Sequence, residues 1–489
     1  MPYIEYIREY ISVHIGFMIC DGMRKYDREL IGMPFTRILY SAEPKNNFSL
    51  WCWWKESLTE MGKFLVESSK NKSWLSSHAN LHKKIAEDAQ IIAAKIKQLN
   101  LSDLSVEQLS LLYKDFRVKT EKFNALSMEI DALDLVLEDE LRKAIAYLFA
   151  AKREQNEVYA IMTTPSELSA PKKEEFMFYK LALILKETKK YDEKLINKIL
   201  SDFWWSELNW RAGNEKTVEL VKHGVRNIIE ETKDIPKHIK QLEDYPRETQ
   251  ELKKKYLKNK ELALLNTIFE EYALLHELRK ETQMKTTYSL YLLFREISKQ
   301  SGIPVEHIEL YSPDELSELL TKGKKFSVSM INNRLLASTL FINNSNSNNP
   351  IFEFKTSAEA IKLRTTEQSS YMENVRDFSG LPASFGKAVG KVKIALSASE
   401  AINKVEKGDV LVTGMTLPDF VPAMKKAAAI ITNEGGATCH AAIISREFNI
   451  PCIVGTKIAT KILKDGMLVE VNANHGVVKI LNNNSNTNK

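Results

Sequence analysis

The sequence predicts a multi-domain protein in which a large, mostly α-helical N-terminal region precedes a C-terminal α/β domain. Glycine usage marks the division, because only eight of the 18 glycines precede Gly380 and ten lie in the last 110 residues. Periodicity marks it again, since apolar residues recur at helical spacing in the first part and alternate in the last. At 489 residues the chain also exceeds the roughly 250 residues at which a single core usually stops growing.

Residues 1–340 are predicted to be mostly helical, forming either one domain or two subdomains. One amphipathic helix face is indicated by apolar residues at i, i+4, i+7 and i+11, namely Ile85, Ala89, Ile92 and Ile96. Two helix starts are indicated by capping boxes, in which Ser105 precedes Gln108 and Ser312 precedes Glu315 by three residues. Breakers are few in the long stretches between these signals.

Residues 341–384 are expected to form a linker. They include an Asn- and Ser-rich run at 343–350 that cannot bury enough apolar surface to order itself. The α/β domain is expected over 385–482, and residues 483–489 form an Asn-rich tail that we expect to be disordered. Six strands are predicted in the α/β domain, at 387–396, 410–413, 429–432, 452–454, 468–472 and 477–481. Helices are predicted between them at 419–427 and 440–448.

Composition excludes several classes of function. The formal charge of +5 arises from 69 basic and 64 acidic residues without a one-signed stretch, so nucleic-acid binding is not indicated. The four cysteines form no CxxC pair, which argues against a disulfide framework or a zinc site. The charged N-terminus is unlike a signal peptide, and no run approaches the ~20 apolar residues of a membrane span. We therefore expect a soluble, cytoplasmic protein with no membrane partner.

One segment of the α/β domain carries recognisable chemistry. After the predicted strand 429–432, Gly435 and Gly436 turn the chain and His440 begins a helix. A helix start offers unpaired N–H groups and the positive end of the dipole, where an anion can bind. An imidazole with a reference pKa of ~6.5 is partly neutral there and can act as a nucleophile. The hydroxyl of Thr438 is placed to hydrogen-bond the ring or a phosphoryl oxygen.

The run Gly-Gly-x-Thr-Cys-His-Ala-Ala-Ile-x-Ser-Arg-Glu over 435–447 resembles the phosphohistidine signature of the phosphoenolpyruvate-utilising enzymes. It is most similar to that of phosphoenolpyruvate synthase and more loosely to those of pyruvate phosphate dikinase and enzyme I of the sugar phosphotransferase system. Segments 381–384, 408–413, 418–425 and 450–456 also resemble the synthase in order and approximate spacing. Asn433 stands where aspartate is usual, Gly414 where the synthase tends to have proline, and Asn449 where glycine is common.

The resemblance implies a swivelling domain in which His440 is phosphorylated. Thr416 matches a threonine whose hydroxyl supports the histidine in enzyme I, so the catalytic residues would be His440, Thr438 and Thr416. Phosphate binding or support would come from the motif residues Gly435, Gly436, Cys439, Ser445 and Arg446. No metal ligand is expected in this site.

The resemblance also implies that a second protein chain takes part in the reaction. Phosphoenolpyruvate synthase has an ATP-grasp domain and a pyruvate-binding barrel, and the sequence indicates neither here. The order of a helical region followed by a phosphohistidine domain looks like rifampicin phosphotransferase without its ATP-grasp domain. We expect this chain to bind no cofactor itself, ATP and Mg²⁺ to be handled by a separate ATP-grasp subunit, and a small-molecule acceptor to bind the helical region.

Two other functions stay open. The chain could be a non-catalytic regulatory or scaffold paralogue that has kept the carrier fold. It could also be a self-contained transferase that uses phosphoenolpyruvate directly, although the lack of a barrel argues against this.

Simpler interpretations are favoured for the other notable residues. His475 is predicted to lie in a hairpin turn, and Cys439 to be a small packing residue rather than a nucleophile. His78 and His82, spaced i, i+4, are predicted to lie on a solvated helix face, because no third metal ligand is evident. Arg279 with Lys280 is predicted to be an exposed helical pair. The tryptophans are predicted to lie mostly in the core, namely Trp51, Trp53, Trp54, Trp204, Trp205 and Trp210.

Overall fold

A computed structural model describes residues 3–9, 11–33, 35, 37–210, 213–343, 351–368, 377–436, 439–456 and 458–481. The chain divides into two compact units. The helical unit comprises Ser12–Thr36 and Glu56–Ile331, and the second unit comprises Met1–Ile11, Arg37–Lys55 and Asn332–Lys489. No described helix combines the length and apolar character needed to cross a bilayer.

The helical unit is built around three long helices. The α-helices described from residue 13 to residue 336 are α1 Val13–Leu30, α2 Lys55–Ser69, α3 Lys72–Gln98, α4 Val106–Leu148, α5 Lys152–Met162, α6 Ala170–Thr188, α7 Glu193–Phe203, α8 Val218–Glu231, α9 Ile235–Lys254, α10 Lys260–Ser301, α11 Val305–Ile308, α12 Pro313–Lys322 and α13 Val328–Leu336. The last of these, α13, crosses the boundary of the helical unit at Ile331. Helices α3, α4 and α10 pack on one another. The predicted helix face is confirmed, because Ile85, Ala89, Ile92 and Ile96 are all buried on α3.

Local chemistry sets the starts and close approaches of these helices. Both predicted capping boxes are confirmed, with Ser105 beginning α4 and Ser312 beginning α12. Gly22 lets α1 approach α4 closely, since a Cβ atom there would lie 2.2 Å from the carbonyl oxygen of Glu121. Such small residues bring neighbouring backbones together and help to bury the apolar faces of both helices.

Two predictions about this unit are wrong. His78 and His82 are only 6% exposed and lie against α4, because their imidazole nitrogens meet the carboxylate of Glu129. Arg279 is not an exposed partner of Lys280 but donates to Asp131 at 2.9 Å, which ties α10 to α4. In each case the partner lies on a distant helix, so local spacing could not reveal it.

The second unit contains an antiparallel sheet that the sequence does not predict. Its strands are β1 Tyr3–Glu9, β2 Arg37–Glu43, β3 Phe48–Trp54, β4 Ser338–Asn343 and β5 Ile351–Thr356, in the order β1-β3-β2-β4-β5. Helix α14, Ser357–Gln368, follows β5. Residues 1–340 are therefore not uniformly helical, and Trp51 and Trp53 are buried on a strand.

The C-terminal α/β domain contains an eight-stranded sheet, and helices connect the four parallel strands at its centre. Its elements are β6 Asp377–Ser379, β7 Leu381–Ser384, β8 Lys387–Ile394, α15 Ala398–Lys404, β9 Val410–Thr413, α16 Val421–Met424, β10 Ala429–Thr432, α17 His440–Glu447, β11 Cys452–Val454, α18 Ala459–Ile462, β12 Leu468–Asn472 and β13 Val477–Leu481. The strand order is β6-β13-β12-β8-β9-β10-β11-β7, with β8 to β11 parallel. Strands β9 to β13 have the predicted bounds.

Both faces of this sheet are covered by apolar side chains. Leu411 and Ile430 belong to one core cluster, whereas Val410, Val412 and Ile431 belong to another. Successive strand residues point to opposite faces, so the two clusters lie on opposite sides of the sheet. Parallel strands buried on both faces read as continuous apolar runs, which is the pattern of β9 and β10.

The described parts of the segment expected to be a linker lie mostly in strands and a helix. The described parts of 341–384 contribute the end of β4, then β5, α14, β6 and β7. Strands β6 and β7 are edges of the eight-stranded sheet, so the α/β domain begins before the expected residue 385. Residues 344–350, 369–376 and the predicted tail 483–489 lie outside the described residues.

Candidate phosphohistidine site

The candidate site lies at the carboxyl ends of two neighbouring parallel strands, β9 and β10. The loops that leave these strands are joined by backbone hydrogen bonds, from Asn433 N–H to the Thr413 carbonyl at 3.0 Å and from Glu434 N–H to the Gly414 carbonyl at 2.9 Å. Crevices at such strand ends are common ligand sites in α/β sheets. The two loops carry Thr416 and His440 respectively.

His440 is the first residue of α17 and is half-buried. Its Nδ1 lies 2.9 Å from Oγ1 of Thr416, a side chain that is itself buried. If Nδ1–H donates to the hydroxyl oxygen, the ring carries its lone pair on Nε2. The structure therefore brings together the two residues that the resemblance paired, and the Thr416 hydroxyl contributes to orienting the ring.

Gly435 is required by the turn that precedes His440. Its φ is +112°, which L side chains rarely adopt, and a Cβ atom there would lie 2.6 Å from Cys439 Sγ. Gly436 differs, since a Cβ atom on it would meet nothing within 4 Å. Both glycines are exposed, which leaves their backbone accessible beside the ring. Thr438 and its neighbour Ala437 lie outside the described residues.

Cys439 is a packing residue, as predicted. It lies against the core cluster that contains Ala441, Ala442 and Cys452. Burial raises the pKa of the Cys439 thiol, although hydrogen bonds from the backbone N–H groups of Ala442 and Ala441 act in the opposite direction. A thiol held in this form is a poor nucleophile, so the chemistry of the site rests on the imidazole.

Ser445 and Arg446 lie away from the start of α17. Ser445 is fully buried, and its carbonyl accepts hydrogen bonds from Ser384 Oγ and from Ile450 N–H. Arg446 is in the last turn of α17 and donates to the carbonyl of Ala383 at 3.0 Å. These hydrogen bonds give both residues a part in holding α17 to β7.

Two departures from the family pattern have a local explanation. The Asn433 amide group donates to Thr460 Oγ1 and accepts from Thr460 N–H, so it faces α18 rather than His440. Asn449 has a φ of +52°, in the left-handed region that asparagine tolerates better than most residues. A glycine at position 449 would adopt the same turn.

Exposed apolar side chains near His440 were not predicted from the sequence. Met415 and Leu417 flank the buried Thr416, and Ile443 lies one turn after His440 on α17. A polar residue buried between two exposed apolar residues reverses the usual alternation. Because the burial of Thr416 is visible only in the structure, the sequence alone does not identify this rim.

Comparisons with known proteins find similarity in the C-terminal part of the chain. Residues 405–476 match the model of the family "PEP-utilising enzyme, mobile domain". The chain is 65% identical over 99 residues to a probable phosphoenolpyruvate synthase of Archaeoglobus fulgidus. This match covers 20% of this chain and 13% of that protein. The chain is 56% identical over 120 residues to a phosphoenolpyruvate synthase of Aeropyrum pernix, covering 24% and 15% respectively.

The likeness is confined to one part of each protein, because the chain spans about one seventh of the length of these relatives. Among solved structures the chain is similar to Thermococcus kodakaraensis aconitase X, with 24% sequence identity. The match covers 22% of this chain and 98% of that chain, and its TM-score of 0.18 is too low to indicate a shared fold. The C-terminal α/β domain, over residues 405–476, is thus similar in sequence to the mobile domain of the phosphoenolpyruvate-utilising enzymes.

Proposed function

We propose that the chain is a phosphotransferase component in which His440 receives a phosphoryl group at one site and delivers it to an acceptor at another. The observation that carries this proposal is the 2.9 Å hydrogen bond between Thr416 Oγ1 and His440 Nδ1 at the start of α17. It supports the tautomer in which Nε2 is the nucleophile. The same bond would stabilise the positive charge that the ring gains as the phosphoryl group is attached.

The transfer has two steps. In the first, the Nε2 lone pair forms a nitrogen–phosphorus bond while the bond from phosphorus to the leaving oxygen of the donor breaks. In the second, an acceptor oxygen attacks phosphorus, the nitrogen–phosphorus bond breaks, and the acceptor's proton passes to a base. Phosphoryl transfer depends mainly on positioning and electrostatics, which the exposed backbone at Gly435 and Gly436 and the start of α17 can supply.

The donor and acceptor are assigned from the family resemblance. ATP with Mg²⁺ would be bound by a separate ATP-grasp subunit, and the helical unit would hold a small-molecule acceptor. One imidazole cannot occupy both pockets at once, so the α/β domain would swivel between them and present the ring to each at a high effective concentration. The exposed rim of Met415, Leu417 and Ile443 supports this model, because apolar surface around a reactive group suits transient docking.

Labelling of the full chain tests the proposal. With ATP, Mg²⁺ and a candidate ATP-grasp partner, intact-mass measurement should show one acid-labile phosphoryl group on the wild type and none on His440→Ala. His475→Ala is the matched control, because it removes a histidine from a turn of the same domain and should label normally.

Two results would refute the proposal. One is equal labelling of His440→Ala and the wild type. The other is an unlabelled wild type when a phosphoenolpyruvate synthase labels in parallel, and intact complex formation by His440→Ala in that case would indicate the scaffold role.

A further inference from the structure

Three potential metal ligands converge inside the helical unit. His78 and His82 lie one turn apart on α3, and Glu129 faces them from α4. The Nε2 atoms of the two rings lie 2.6 Å and 2.7 Å from the same Glu129 oxygen, Oε1. The ligand atoms all lie within 4.8 Å of one another. Two histidines at i, i+4 on one helix are a common way of presenting two imidazoles to one ion.

The second carboxylate oxygen provides an independent observation. Glu129 is fully buried, and its Oε2 has no hydrogen-bond partner among the described residues. A buried carboxylate oxygen without a hydrogen-bond partner destabilises the folded protein. Two imidazoles converge on Oε1 while Oε2 is unsatisfied, which is a poor arrangement for a simple buried ion pair. A cation between the three side chains would take one nitrogen from each ring and could also bind Oε2.

We propose that His78, His82 and Glu129 bind one divalent transition-metal ion, and that their donor set favours Zn²⁺. Two imidazole nitrogens with one carboxylate is an established zinc ligand set. Zinc bonds of ~2.0–2.2 Å place tetrahedral ligands roughly 3.3 Å apart, so the cluster must open by only about 0.6 Å to admit the ion. Side-chain rotation alone can supply a movement of that size.

The His78 ring has an aromatic neighbour, and the His82 ring borders a cavity. The Trp74 ring stacks on His78, with centroids 4.4 Å apart and planes at 17°. His82 also lines a narrow cavity together with Ser127 and Arg279. Such outer contacts orient metal-binding rings, and a water molecule entering through the cavity would complete a four-coordinate site. The bound ion would join α3 to α4.

Metal titration of the full-length chain tests the site. After chelator treatment, the wild type should bind one Co²⁺ per chain with the visible absorption of a tetrahedral site, and Zn²⁺ should displace it. His82→Ala and Glu129→Gln should weaken binding by more than about 100-fold. His276→Ala is the matched control, because that half-exposed histidine of the same unit pairs with Asp134 at 2.6 Å and should leave binding unchanged. His440→Ala should also leave metal binding unchanged, which shows that the imidazole of the α/β domain is not a ligand.

Either of two outcomes overturns the proposal: a stripped wild type that takes up no Co²⁺ or Zn²⁺, or binding equal in Glu129→Gln and the wild type. Should both variants unfold, zinc-edge X-ray absorption of the loaded wild type decides. Two imidazole nitrogens at ~2.0–2.1 Å support the site, and a spectrum without imidazole contradicts it.

Discussion

The two units of this protein place their histidines in opposite surroundings. In the C-terminal α/β domain, His440 is half-buried at the start of a helix and meets a neutral hydroxyl. In the helical unit, His78 and His82 are buried and share the carboxylate of Glu129. An imidazole ring that gains and loses a phosphoryl group must be accessible to the donor and must not be held by a strong hydrogen-bond partner. A ring held beside a buried carboxylate suits a fixed role, such as binding a metal ion.

The largest effect is expected at the hydroxyl that orients His440. Thr416→Val keeps the shape of the buried side chain but removes its hydrogen bond to Nδ1. Losing a hydrogen bond that strengthens with developing charge should slow phosphorylation about 10–100-fold. The rate is measured by mass spectrometry with phosphoramidate as a small donor that needs no partner. Thr416→Ser retains the hydroxyl and should stay within about threefold of the wild type. Equal phosphorylation rates for Thr416→Val and the wild type would show that Thr416 does not assist phosphorylation of His440.

A stability effect is expected at the glycine pair before His440. Gly435→Ala places a side chain at a φ of +112° and 2.6 Å from Cys439 Sγ, which should destabilise the α/β domain by about 1–3 kcal/mol. Gly436→Ala meets nothing within 4 Å and should change stability by less than about 1 kcal/mol. Urea unfolding of both variants makes the comparison. Similar losses at both positions would mean that the turn geometry is not the cause.

The buried histidine of α1 should make the helical unit sensitive to acid. Burial lowers the pKa of His14 to about 3, although its hydrogen bond to the Tyr311 carbonyl acts in the opposite direction. The unfolded chain, with a pKa of ~6.5, therefore binds the proton first, and stability falls as pH drops from about 6.5 towards 3.

The loss attributable to His14 between pH 7.5 and pH 5 is about 2 kcal/mol. His14→Gln can keep polar contacts to Tyr311 and Tyr113 without titrating. Its unfolding free energy, measured at both pH values, should fall less than that of the wild type by this amount. An unchanged pH dependence would show that His14 is not the responsible group.

The smallest effect is expected at the apolar rim. Leu417 is 51% exposed beside Thr416, and Leu417→Asp should slow phosphoryl transfer from the partner protein about threefold to tenfold while leaving phosphorylation by phosphoramidate unchanged. Val389→Asp is the matched control, because Val389 is 53% exposed on β8 of the same sheet. Equal slowing by both variants would point to general charge effects instead of a docking surface.

The parts of the molecule also differ in how far the sequence reveals them. Strands β9 to β13 were predictable because short apolar runs and glycine turns are local signals. The antiparallel sheet was not, since β2 pairs with β4 between Arg37 and Asn343, far apart in the chain. Glu129 was missed for the same reason, because it lies 47 residues from His82 on another helix.

Within the candidate site, prediction depended on the kind of signal. The glycine turn and the helix start identify His440 from the residues alone. Thr416 lies in the neighbouring strand's loop, so only the family resemblance linked it to the ring before the structure placed them 2.9 Å apart. Ser445 and Arg446 share the motif but hold the helix in place, because sequence proximity does not specify which way a helical side chain points.

The most direct test of the central claim is the position of the phosphoryl group on the imidazole. Phosphorus NMR of the labelled full-length chain distinguishes attachment at Nε2 from attachment at Nδ1. Because Thr416 engages Nδ1, we predict one Nε2-phosphohistidine resonance that is absent from His440→Ala. A resonance from Nδ1-phosphohistidine, or one that persists in His440→Ala, would contradict the account.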